Sequence, residues 1–155
     1  MSTYASARPG IQERLESVPG LARVIPGEPS SMPLDQDGDL VSPLCYYLYD
    51  RTESLPQRGP KRGDKCTVMI RVSVRRGANQ LSEAEIAPFV DSVPDAFDPQ
   101  SNDGNGHPLP TLGGRVGIAQ LTRAESGEGA RGFHEIGGVP YRSITWELSI
   151  TRKGT

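Results

Sequence analysis

The segment 141–151, YRSITWELSIT, is the most regularly alternating part of the chain. Ile144, Trp146, Leu148 and Ile150 fall on one side of an extended backbone, and Ser143, Thr145, Glu147 and Ser149 fall on the other. Successive side chains of a strand point to opposite faces, so this pattern predicts a strand with one face on a core and one in water, as in an antiparallel sheet.

Two further runs supply partners for that strand. Residues 65–75 alternate in the same way, with Cys66, Val68, Ile70, Val72 and Val74 on one side and Thr67, Met69, Arg71, Ser73 and Arg75 on the other. Residues 44–49, LCYYLY, are apolar or aromatic on both faces and read as an interior strand. Together they predict an antiparallel pair joined by a long, projecting basic loop at 51–63. Residues 21–25 and 116–121 read as shorter strands.

Two helices are expected. The first covers 9–17, with Pro9 in its first turn and Ile11, Leu15 and Val18 forming an apolar stripe, and it stops at Pro19-Gly20. The second begins at Ser82, where Ser82 and Glu85 match a capping box, and Glu83 and Glu85 suit the positive end of the helix dipole. Its apolar face is Ile86, Phe89, Val90 and Val93, and Pro88 kinks it or delays its start. The fold class that follows is α+β. One domain, 1–155, holds a single antiparallel or mixed sheet of about five strands, with two helices on one face. Long loops lie at 26–42, 51–63, 98–114 and 122–138, the last of them a glycine-rich excursion.

Composition agrees with a modest core set in much loop. The 155 residues are 35% hydrophobic and include 18 glycines and 14 prolines. A chain of this length buries roughly two-thirds of its unfolded surface, enough for one domain. No apolar run approaches the ~18 residues of a membrane span, and the first residues, MSTYASARPG, lack the apolar stretch of a signal peptide. Cys45 and Cys66 are too few for a disulfide framework and read as buried free thiols of a protein folded in a reducing cytoplasm.

The residues argue against most chemistry. Asp35, Asp37 and Asp39 suggest calcium, but an EF-hand loop needs glycine and glutamate where this chain has Leu40 and Tyr46. Residues 59–65, GPKRGDK, lack the Gly-Lys-Ser/Thr ending of a phosphate loop. The Arg62-Gly63-Asp64 tripeptide is read as a chance match in a basic loop. His107 and His134 have no second ligand at metal spacing. A hydrolase using His134 and Glu135 lacks a nucleophile. No catalytic residue, cofactor or metal site is therefore assigned, and an enzyme is not expected.

Charge is arranged in blocks. Residues 28–50 carry five acidic residues and no basic one; 51–76 carry eight basic and two acidic, a net of +6; 77–104 carry six acidic and no basic one. Arg51, Arg58, Lys61 and Arg62 of the basic block thus face Glu83 and Glu85 of the acidic block as candidate contacts between subunits. A head-to-tail contact of that kind closes into a ring when the rotation permits. Nucleic acid is the rival partner for the 51–76 hairpin, although no aromatic residues interleave its loop for base stacking.

The opening residues 11–21, IQERLESVPGL, resemble the first helix and turn of the tail-terminator (tail-completion) proteins of long-tailed bacteriophages. The closing residues 139–151, VPYRSITWELSIT, resemble that family's last strand, and the order of elements between them is similar. The resemblance implies a hexameric ring that caps the tail tube, ends its elongation and joins it to the head connector. Its partners would be further copies of the chain, the tail tube protein and the connector or stopper proteins. Phage DNA would pass through without sequence-specific binding, and the location would be the virion neck after assembly in the host cytoplasm. The alternative within the same setting is another head–tail junction subunit, a stopper or neck protein. The loop 98–114 is an insertion on the family pattern.

Overall fold

The computed structural model describes residues 3–27, 42–55, 63–75, 85–123, 131–136 and 139–151. Helix α1 (Thr3–Glu16) leads into β1 (Arg23–Pro26), β2 (Leu44–Leu55) and β3 (Gly63–Arg75). Helix α2 (Phe89–Asp95), a short 3-10 turn (Leu109–Thr111), β4 (Ile118–Arg123), β5 (Arg131–Ile136) and β6 (Val139–Thr151) follow. The strands form one mixed sheet in the order β1-β2-β3-β6-β4, with β5 also on β6. Only β1–β2 is parallel.

The alternation in β3 and β6 sets the core. Their registered partners Val68↔Leu148, Ile70↔Trp146 and Val72↔Ile144 present one continuous apolar face. Cys45 and Tyr47 of β2 and Ala119 of β4 extend it, and Ala7, Ile11 and Leu15 of α1 and Phe89 and Val93 of α2 close over it. Each Val, Leu, Ile or Phe among them contributes about 1.5–3 kcal/mol by leaving water. Both helices thus lie on one face of an α+β sheet, as the sequence predicts.

Helix α1 begins earlier than expected. The 9–17 helix was to open on Pro9, yet Pro9 lies inside Thr3–Glu16. The ring sits on the exposed side of the helix, while Thr3, Ala7, Ile11 and Leu15 continue one buried stripe at four-residue spacing across it. Packing along that stripe outweighs the local cost of proline. Glu85 and Ile86 are helical, Ala87 and Pro88 form a turn, and Pro88 caps α2, so the proline interrupts the helix rather than delaying its start. Val90 leaves the apolar face and is 39% exposed, because Phe89 and Val93 take up the contact with the core. Ser82 and Glu83 lie outside the described residues.

Three expected loops contain structure. Strand enters the 51–63 segment from both sides: β2 runs to Leu55 and pairs with β3 as far as Leu55↔Gly63. The ladder runs two pairs past Glu53↔Lys65, the level at which β6 ends at Thr151, and residues 56–62 lie outside the described residues. Within 122–138, Arg131–Ile136 forms β5, collinear with β4 along the same edge of β6. The 98–114 loop is polar along most of its length, but Leu109, Pro110 and Leu112 are buried and Leu112 joins the core.

The second sheet face is also less wet than β6 alone suggests. Ser143 and Thr145 are buried, and Leu44, Tyr46 and Tyr141 form a small separate apolar cluster there. Arg71, level with Tyr46 and Thr145, donates to the Tyr46 hydroxyl at 2.8 Å and to Thr145 Oγ1 at 3.0 Å. Glu147, Ser149 and Thr151, toward the end of β6, stay half-buried. Of the 26–42 loop, only its ends lie among the described residues.

Candidate assembly surface

The basic block is partly consumed by the fold. Arg51 stands at a bulge in β2: Tyr49 pairs with Val68 and Arg51 with the next residue, Thr67, leaving Asp50 as the extra residue. The Arg51 guanidinium bonds to Glu53 Oε1 at 2.9 Å and pairs with the Asp50 carboxylate. The Glu53 bond, then the neighbouring Asp50 charge, holds the Arg51 pKa above its ordinary value. Arg71 points across the second sheet face and stacks its guanidinium 5.7 Å from the Tyr46 ring centre. Arg71 is held by its contacts within the chain, whereas Arg51 is half-exposed and spends only its Nε and Nη1 on Glu53 and Asp50. Arg58, Lys61 and Arg62 lie outside the described residues.

The acidic block divides into two groups. Asp98 and Asp103 are structural. Asp98 accepts the Gln100 amide at 3.0 Å and the Ser101 hydroxyl at 2.9 Å, and Asp103 accepts the amides of Asn105 and His107 at 2.8 and 3.0 Å. These bonds, led by the Gln100 amide for Asp98 and the His107 amide for Asp103, hold both carboxyls below the usual aspartate range. Glu85, Asp91 and Asp95 form the other group. All three are exposed, and none makes an ion pair with a described residue. On α2, Val90, Asp91, Pro94 and Asp95 share the outward side, opposite buried Phe89 and Val93.

A second surface escapes the sequence reading. Because α1 starts at Thr3, Tyr4 and Arg8 stand one turn apart on a helix. Because of the β2 bulge, Tyr49 and Thr52 share a face, and the Tyr49 hydroxyl donates to Thr52 Oγ1 at 2.7 Å. The Tyr4 and Tyr49 rings meet at 5.4 Å between centres, tilted by 55°. Tyr49 is 45% exposed, and Arg8 is exposed beside Tyr4. Burial raises the Tyr47 pKa and the nearby Arg8 offsets part of that rise; the Tyr47 hydroxyl donates to Gln12 Oε1 at 2.7 Å, and Arg8 makes no ion pair with a described residue. Nothing in the 9–17 helix prediction could place Tyr4 here; the four-residue spacing of Thr3, Ala7 and Ile11 is the signal that could have.

The remaining candidates lie apart from one another among the described residues. Cys45 and Cys66 are buried and unbridged, and burial pushes the Cys45 thiol up to about 12. His107 is exposed in the 98–114 loop, and the backbone of His134 pairs with Tyr141 in the β5–β6 ladder. Among the described residues no group of three His, Cys, Asp or Glu side chains converges on a metal position. Among them, too, no helix is long and apolar enough to cross a membrane. The acidic run 35–39 and the basic stretch 59–62 lie outside the described residues. Compared with known proteins, the chain matches no protein-family model and no curated protein.

Proposed function

We propose that this chain is a structural virion subunit, a tail terminator that assembles into a ring, caps the tail tube of a long-tailed phage and joins it to the head connector. The observation that supports this reading is the architecture. A leading helix, a β2–β3 hairpin that outruns its neighbour β6, a second helix and a long closing strand follow the order of elements in the resembling family. The exposed charges of α2, left without partners inside the described chain, fit a subunit that completes its contacts in an assembly. Symmetry in such an assembly is hexameric, and the subunit acts by shape and contact, without catalysis.

The test is genetic and structural together. Removing the protein from the phage that encodes it should give heads and abnormally long, unjoined tails. Tailless heads that leak DNA would instead identify a stopper or neck subunit. A nucleic-acid module predicts a different result, a salt-sensitive shift of DNA that disappears when Arg58, Lys61 and Arg62 are neutralised.

A further inference from the structure

Of the three large apolar side chains that stand exposed among the described residues, Tyr49, Val90 and Ile118, two sit in patches of opposite charge. Tyr49 lies with Tyr4 and the cation Arg8, whereas Val90 lies with the anions Asp91 and Asp95. The patches are at opposite ends of α1. Tyr4 is in its first turn, while α2 is anchored beyond its last turn, where a Cβ on Gly20 would lie 3.6 Å from the Phe89 ring. The 14 residues of α1 span about 20 Å at ~1.5 Å per residue, so the patches do not meet within one chain.

We propose that these patches bind each other between copies of the chain: the Tyr4–Arg8–Tyr49 surface of one subunit receives the outer side of α2, with Val90 and Asp91 at its centre, from the next. The contact deepens the ring reading and rests on it. It is heterologous, since one subunit uses surfaces at two different ends, and repetition therefore builds a ring or a filament rather than a closed pair. Tyrosine and arginine are the residue types that anchor interfaces. The rings cover Val90 and Pro94, and Arg8 opposite Asp91 and Asp95 fixes the register and repels a copy docked in the wrong sense. A stable interface buries ~800 Å² on each partner, so these patches anchor a larger contact.

The experiment is sedimentation velocity on the full chain and two variants, Arg8→Glu with Tyr49→Ala, and Val90→Ser with Asp91→Lys. Every altered side chain is exposed, and circular dichroism should show the same fold in each variant. Each variant alone should associate at least about tenfold more weakly. Mixed in equal amounts, they should form mainly heterodimers, because one intact pair of surfaces remains while the altered pair, though complementary in charge, has lost Tyr49 and Val90. Placing Arg8→Glu and Asp91→Lys in the same chain should recover much of the assembly. Unaltered protein that stays monomeric at high concentration, a variant that assembles normally, or a folded mixture without heterodimers would overturn the proposal. Rings that persist in the variants remove this contact alone, whereas rings that depend on it but ignore tail-tube ends remove the tail-terminator reading alone.

Discussion

Gly10 and Leu112 are 102 positions apart in the chain and in contact in the fold: a Cβ on Gly10 would lie 2.6 Å from Leu112 Cβ and 2.9 Å from its carbonyl oxygen. Leu112 holds a left-handed backbone, φ 52°, which places its side chain beneath α1, and Arg115 clasps the same turn by donating to the Leu112 carbonyl at 2.8 Å. Gly10→Ala should therefore destabilise the protein although alanine is the better helix former. Overpacking costs about 1–3 kcal/mol, and the helix propensity returns at most about 1 kcal/mol. Denaturant melts should show the loss. Acid acts on the same loop through Asp103. Its folded-state pKa is depressed, so its contribution to stability is present above the ordinary aspartate pKa of about 4 and is lost as pH falls through the lower folded value. The Asn105 amide resonance should make its main move only below about pH 4, and Asp103→Asn should abolish that step. Neither contact was legible in the sequence. Gly10 reads as an ordinary helix residue and Leu112 as one apolar side chain in a polar stretch, and only their meeting makes them constrain each other.

Strands β3 and β6 could be read residue by residue, because a two-residue period over a long run has one structural meaning. Their bounds still moved where pairing, which the period does not carry, decides the length. Thus β2 continues to Leu55 because β3 offers a partner at every step past the Asp50 bulge. Strand β5 was hidden for a related reason. Arg-Gly-Phe-His-Glu-Ile has no clean alternation, and its glycine neighbours look like loop; the Gly137-Gly138 pair between β5 and β6 was the overlooked hairpin signal. The bulge at Asp50 also leaves no mark in sequence, yet it keeps Tyr49 and Thr52 on one face and bends the hairpin. Deleting Asp50 restores a regular ladder with Arg51 still opposite Thr67. That variant should fold, with a melting temperature within a few degrees of the original, but the Asp50–Arg51 pair and the local bend would be gone. Sedimentation should then show weaker assembly; loss of folding would mean that the bulge is needed by the sheet itself.

At the scale of the molecule, the α+β sheet with helices on one face followed from composition, periodicity and helix signals. The candidate surface followed only in part. Charge blocks pointed to the 77–104 segment, where Glu85 stands exposed ahead of α2 and Asp91 and Asp95 on it, but they overcounted the basic side. Arg51 and Arg71 are bound within the chain, and Asp98 and Asp103 serve their own turns. What survives is a subunit with unlike surfaces at its two ends, the property that head-to-tail assembly requires. The central claim is that this assembly is a ring on the end of a phage tail tube. Negative-stain imaging of the purified protein mixed with assembled tail tubes tests it most directly. The account predicts closed rings of uniform diameter seated on one end of each tube and blocking its further growth; dispersed monomers beside bare, still-elongating tube ends would contradict it.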